Sequence, residues 1–176
     1  MTDYREIDAL ELIPALFKGF DRYQEVNRCW RKEDGRWLLK DIAFVEQWDA
    51  GDYALLSEAL AATIRGGGVV LGAFRCGCLI GFASLENEPF GSKRQYLQLA
   101  ELYVSRESRG GGIGRMLFRL TAAHARRLGA RKLYLSAHSS KESQAFYRAV
   151  GCVEAIEYNA ALVEKEPCDC QLEYVL

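Results

Sequence analysis

Long apolar runs are missing from this 176-residue sequence. Nothing approaches the roughly 20 consecutive apolar residues of a membrane-spanning helix, so no membrane role is expected. Histidine is scarce, with two in the chain, and neither His124 nor His138 sits in a recognisable nucleophile motif. The opening residues carry Asp3, Glu6, Asp8 and Glu11 instead of a basic leader. No secretory signal is expected, and the cytosol is the expected location. Internal repeats, low-complexity tracts and linkers are also absent. Apolar residues at 49% and charged residues at 27% are ordinary soluble usage, which excludes disorder. The length suits one domain able to bury its own core.

Six cysteines form two Cys-x-Cys pairs, Cys76/Cys78 and Cys168/Cys170, beside Cys29 and Cys152. Structural zinc prefers C-x2-4-C spacing and four converging ligands, so no metal is expected. Without a secretory context, the thiols read as reduced, buried small hydrophobes.

Net charge is −1 but unevenly spread. Residues 105–148 hold 10 Lys/Arg against 2 Asp/Glu, while the segments on either side are acidic. One basic segment in a near-neutral chain points to a local anionic ligand more than to a polyanion-coating surface. A solvated helix face is the plainer reading of the same charges.

Apolar periodicity and turn residues predict an order of elements. Tyr4–Ile7 reads as a strand; Asp8 and Glu11 have capping-box spacing before a helix that Pro14 shortens or kinks. Residues 26–40 suit a hairpin or ordered loop, and Asp52–Arg65 a helix ended by Gly66-Gly67-Gly68. Val69–Phe74 and Leu79–Leu85 read as antiparallel strands, and Tyr96–Val104 as a longer one. A helix from Gly112 to Leu128 would bury Ile113, Met116, Leu117, Leu120, His124 and Leu128. Leu133–Ala137 is a strand, and Ser140 or Ser143 opens a short helix ended by Gly151. Final strands near 152–158 and 169–175 complete an α/β sheet of mixed direction.

The segment Arg109-Gly110-Gly111-Gly112-Ile113-Gly114-Arg115 lies between a strand and a helix. Glycines there cost about 1 kcal/mol each relative to alanine if they merely form helix. Close approach of main-chain N–H groups to a phosphate at a helix N-terminus gives them a purpose. Arg109 and Arg115 add charge beside it. A flexible glycine-rich helix start is the competing reading. A Rossmann turn is excluded by the G-G-G-I-G spacing and the missing ribose-binding acid, and a Walker loop by the missing Gly-Lys-Ser/Thr.

Arg109-Gly110-Gly111-Gly112-Ile113-Gly114 matches an R/Q-x-x-G-x-G/A signature, preceded by the strand ending Glu101-Leu102-Tyr103-Val104. About thirty residues on, Gln144-Ala145-Phe146-Tyr147-Arg148-Ala149-Val150-Gly151-Cys152 is similar to an A-x-F-Y-x-x-x-G-F element. Together the two motifs resemble the Gcn5-related N-acetyltransferase superfamily. The resemblance covers most of the chain and is firmest from 96 to 153. It departs at Ser140, where the family often has Asn, and at Cys152, where it usually has Phe.

The resemblance implies a single α/β domain over residues 1–176. Its central sheet is mixed but mostly antiparallel, flanked by helices, with splayed fourth and fifth strands. It implies acetyl-CoA as co-substrate, its diphosphate on the N–H groups of Gly110 to Arg115. Pantetheine partners would be the backbone of Leu102, Tyr103 and Val104, with Ser140 as a further contact. Tyr147 would be the acid for the departing thiolate, or else a core tyrosine. Glu101 is the best placed base, taken to share a face with Tyr103 and Leu99; Glu86 and Glu88 are its rivals, and a solvated carboxylate is the plainer reading. Trp30, Trp37, Tyr53 and His138 are candidates for the acceptor pocket.

The function so implied is direct acetyl transfer from acetyl-CoA to a primary amine of a small molecule or peptide. The alternative is a non-catalytic acyl-CoA-binding sensor. A nucleic-acid-binding module is disfavoured by the acidic flanks and the absence of a recognition motif. Family members frequently form homodimers, a point this sequence leaves open.

Overall fold

A computed structural model describes residues 1–176. Strand β1 (Asp3–Glu6) leads through two single 3-10 turns, Ala9–Glu11 and Pro14–Phe17, to a hairpin of β2 (Gln24–Glu33) and β3 (Arg36–Glu46). Helix α1 (Ala50–Arg65) precedes three antiparallel strands, β4 (Val69–Arg75), β5 (Cys78–Leu85) and β6 (Tyr96–Val104). Then follow α2 (Ile113–Arg127), β7 (Lys132–Ala137), α3 (Lys141–Ala149), β8 (Val153–Glu154), α4 (Ala160–Lys165) and β9 (Cys170–Val175).

Seven strands form one sheet in the order β1-β4-β5-β6-β7-β9-β8, and the β2–β3 hairpin stands apart as a two-stranded sheet. Only β6 and β7 run parallel among its paired neighbours. The expected mixed, mostly antiparallel sheet flanked by helices is therefore present. The strands expected to splay as fourth and fifth are β6 and β7 here, because the hairpin adds two to the count.

Two apolar clusters sit on opposite faces of the sheet. Leu97, Leu99, Leu133 and Leu135 pack with Ile113, Leu117 and Phe118 of α2. Val70, Phe74 and Phe82 pack with Leu56 and Leu60 of α1 and with Phe17 and Phe20. Burial of such side chains stabilises by about 1.5–3 kcal/mol each. No helix is long and apolar enough to cross a membrane.

Several elements differ from the sequence reading. The Asp8 capping box forms, with Leu10 N–H donating to Asp8 Oδ1 at 2.9 Å and Asp8 N–H to Glu11 Oε2 at 2.9 Å. It opens a 3-10 turn instead of an α-helix, because Pro14 disfavours helical backbone at Ile13 and offers no N–H itself. Helix α2 buries Ile113, Leu117, Phe118, Thr121, Ala122 and Ala125. Met116 and Leu128, assigned to the apolar stripe, are exposed. The small Ala122 and Ala125, invisible to a search for large apolar residues, let the helix lie close on the sheet. At Gly81 an added Cβ would come within 3.0 Å of Ile113 Cγ2.

The expected strand over 152–158 shrinks to Val153–Glu154, and α4 follows where no helix was foreseen. Asn159 caps it, its Oδ1 accepting from Leu162 N–H at 3.2 Å. Cysteines divide evenly: Cys29, Cys152 and Cys170 are buried, while Cys76, Cys78 and Cys168 are exposed. Cys76 and Cys168 lie in turns and Cys78 opens β5 at the hairpin tip, where no core reaches them.

Candidate active site

The chain leaves β6 through a short turn at Arg106–Ser108 and enters α2 at Gly112. Gly112 has φ +78 and Gly110 φ +80, left-handed backbone that an L side chain adopts at a cost of about 1–2 kcal/mol. The helix carries no side-chain cap. Met116 N–H is the first to bond back, to Gly112 O at 3.0 Å, and the N–H groups of Gly110 through Arg115 have no acceptor in the protein. Successive free donors at the positive end of a 15-residue helix make a site for an anion.

Arg109 has a second task here. Its Nε donates to Val104 O at 3.0 Å, tying the turn to the end of β6. Arg106 and Arg115 also line the cleft at this end; Gly111 belongs to the turn without lining it.

Strand β6 pairs with β7 only from Tyr96 to Gln98, against Lys132 to Tyr134. Beyond that the two strands part. Ser105 N–H donates to Ile80 O at 2.9 Å, so alternation sends the main chain of Tyr103 toward β5 and that of Leu102 and Val104 into the gap. The gap belongs to a cleft of about 930 Å³ lined by Glu101 through Val104, the glycine turn and Tyr147.

A β-bulge decides where Glu101 points. Ser84 pairs with Glu101 but Leu85 pairs with Leu99, leaving Ala100 as an extra residue. The bulge inverts the alternation. Leu99, Leu102 and Val104 pack on the α2 side, whereas Tyr103 packs on the α1 side. Glu101 thus shares a face with Tyr103, as expected, but not with Leu99. The glycine turn opens on one side of the sheet and the Glu101 carboxyl on the other.

Burial pushes the Glu101 carboxyl up to about 7, against lowering by the Lys165 ammonium, the Tyr103 hydroxyl and Arg22. Burial raises the Tyr147 phenol well above its ordinary 10, and the nearby Cys152, Glu101 and Asp169 raise it further. The expected base is thus half-charged near neutrality, and the expected acid keeps its proton.

Around Glu101 the wall is built by elements that the motifs do not include. Arg22 is 5% exposed; it donates to Glu46 Oε2 at 2.8 Å and stacks 4.6 Å from the Tyr103 ring centre. Glu46 also faces His138 Nε2 at 3.3 Å. His138 and then Arg22 hold the Glu46 carboxyl down at about 2, overcoming its burial. Trp48, Lys165, Glu166 and Asp169 complete this side. Asp169 Oδ2 accepts from the Ser136 hydroxyl at 3.1 Å. No sequence signal marked Arg22 or Glu46, though the Asn159 cap could have announced the helix that carries Lys165.

His138 does line the cleft, whereas Trp30, Trp37 and Tyr53 do not. Tyr53 packs among Phe17, Phe20 and Trp48 and donates its hydroxyl to Phe20 O at 2.8 Å. Ser140 is fully buried. It caps α3 by accepting from Ser143 N–H at 3.2 Å and donates to Ser143 Oγ at 2.9 Å. Ser143 lines the cleft instead. Glu86 does not line it and is engaged by the Thr63 hydroxyl. His124 lies on α2 facing Glu6 at 3.6 Å, away from the cleft.

The sequence model of the acetyltransferase (GNAT) family matches residues 21–152. The chain belongs to that family. The GNAT match spans both motifs, the glycine turn and the hairpin wall. No curated protein matches the sequence, but solved structures share its fold. A Bacillus anthracis protein assigned as a streptothricin acetyltransferase, in complex with acetyl coenzyme A, superposes with a TM-score of 0.74 at 15% identity, covering 100% of this chain and 99% of its own. Nourseothricin acetyltransferase gives 0.68 at 18% identity over 98% and 95%. The PaiA N-acetyltransferase of Thermoplasma acidophilum, in complex with coenzyme A, gives 0.62 at 15% over 100% and 99%. At these identities the likeness concerns the GNAT fold.

Proposed function

We propose that this GNAT protein is an acetyl-CoA-dependent N-acetyltransferase that moves acetyl directly onto a primary amine. The observation that carries the reading is the row of unbonded N–H groups at Gly110 to Arg115, opening into the same gap that Glu101 and Tyr147 line. The acetyl-CoA and coenzyme A complexes of two fold neighbours support the choice of donor.

The donor set fits a coenzyme A diphosphate: main-chain N–H groups, a helix N-terminus, Arg106 and Arg115. Acetyl-CoA supplies the activated thioester. The chain's own groups do the rest. Leu102 and Val104 offer main-chain partners to an extended amide arm in place of a neighbouring strand. Val104 N–H faces the gap, where it can stabilise charge on the thioester oxygen.

An amine attacks only when neutral, so its ammonium must lose a proton. Glu101, titrating near 7, accepts it directly or through water at physiological pH. The Tyr147 hydroxyl returns a proton to the leaving thiolate. Attack and expulsion occur in one ternary complex, with no covalent enzyme intermediate.

Thiol release from acetyl-CoA in the presence of a panel of primary amines tests this. Acceptor-dependent release that falls in Glu101→Gln supports it. Tight acetyl-CoA binding with no release from any amine would favour the sensor reading.

A further inference from the structure

The acceptor side of the cleft already contains an amine. The chain has seven lysines, and of these only Lys165 lines the cleft. It is the last residue of α4, exposed, and stopped by a residue outside the helix at Glu166. Its ammonium forms no ion pair within 4.0 Å, so nothing in the fold holds the side chain elsewhere. Among charged neighbours it acts most strongly on Glu101, and Glu101 in turn acts on Tyr147. Lysine, base and acid all line one cleft.

The helix α4 is held there by its own packing. Leu162 rests against Tyr96 and Tyr134 on the acceptor face of the sheet, and Asn159 N–H donates to the Tyr134 hydroxyl at 2.8 Å. Four flexible methylenes separate the Lys165 backbone from its nitrogen, so the amine can sweep the acceptor end while the helix stays fixed.

We infer that Lys165 is an acetylation site of this protein, modified in cis by its own active site when external acceptors are scarce. The inference rests on the acetyltransferase reading above. The Lys165 ammonium gives a proton to Glu101; the neutral Nζ attacks the thioester carbon and forms the amide C–N bond. The C–S bond breaks, Tyr147 protonates the departing thiolate, and the second Nζ proton passes to the resulting phenolate; acetyl-lysine and free coenzyme A result, and the proton on Glu101 leaves to solvent. Atoms and charge balance with no further reactant. A tethered nucleophile has the advantage of an intramolecular reaction, which outweighs its imperfect alignment at low acceptor concentration. Once acetylated, Lys165 is neutral and larger, and the acceptor mouth is altered in charge and shape.

The test is intact-mass and peptide-mapping spectrometry of the purified full chain incubated with acetyl-CoA and no amine. One acetyl group should appear on Lys165 about tenfold or more faster than on exposed Lys18 or Lys141, the contribution expected of acid–base assistance. The rate constant should not change with protein concentration. In Tyr147→Phe, Lys165 should fall to the rate of the other lysines, and Lys165→Arg should remove the fast phase. A parallel reaction with external amines separates the failures. Unmodified Lys165 in protein that acetylates an external amine overturns this inference alone. Absence of acetyl-CoA binding and of all transfer overturns the acetyltransferase reading with it. Equal labelling of every exposed lysine, unaffected by Tyr147→Phe, also overturns the inference.

Discussion

Replacing Glu101 by Gln should abolish most activity and yet make the protein more stable above neutral pH. Burial raises this carboxyl from an ordinary 4.5 to about 7. The folded state therefore holds the proton more tightly than the unfolded chain does. The stability this confers is complete below 4.5 and lost as pH rises through 7. Each pH unit of that window is worth about 1.4 kcal/mol, so the charged Glu101 costs the fold at most about 3 kcal/mol at pH 8. Gln, which cannot ionise, avoids that cost and keeps an acceptor for the Tyr103 hydroxyl. For a chain of this length about 3 kcal/mol corresponds to a rise of roughly 6–12 °C in Tm. The check is thermal unfolding of both proteins by circular dichroism at pH 5.5 and 8.0, where the gap between them should widen by about 2 kcal/mol. Steady-state assays should show kcat/KM falling about a hundredfold or more. A Tm difference that is the same at both pH values would refute the reasoning, because the carboxyl would then titrate as a solvated one.

Tyr147→Phe should lower kcat about a hundredfold, a typical general-acid contribution, with acetyl-CoA affinity within about twofold by calorimetry; equal loss of both would make the residue structural. Gly112→Ala forces a side chain onto φ +78 and should cost about 1–2 kcal/mol by urea unfolding, together with a weaker acetyl-CoA Kd. Glu46→Gln removes the carboxylate that neutralises the buried Arg22. It should destabilise the protein by about 1–3 kcal/mol at pH 7. Because the Glu46 carboxyl is held down at about 2, that loss should shrink as pH falls from 4.5 toward 2.

What could be read from the sequence followed the distance over which each signal acts. Strand β6, the glycine turn and the Ser140 cap are local patterns, and each appears where its residues place it. The orientation of Glu101 was half legible. Strand alternation linked it to Tyr103, but the bulge at Ala100 depends on how β5 pairs with β6, and a single strand carries no mark of that. Arg22, Glu46 and Trp48 reach the cleft because the β2–β3 hairpin docks on the loop after β7, where Trp30 N–H donates to Ser139 O at 2.8 Å. Such a contact spans more than a hundred residues and leaves no periodic trace. The aromatic residues proposed for the acceptor pocket failed for the same reason: Trp30 and Trp37 pack against the core, and the tryptophan that lines the cleft is Trp48. Helix α4 was missed because six residues are too few for periodicity to show.

In the proposed complex, main-chain donors at the mouth of α2 grip a diphosphate. Isothermal titration of the full chain with coenzyme A and, in parallel, with pantetheine, which carries no phosphate, tests it most directly. Measurable heat is expected with coenzyme A, and an affinity for pantetheine lower by about a hundredfold, the worth of two or more charge-assisted hydrogen bonds. Equal affinities, or no heat with coenzyme A at all, would contradict it.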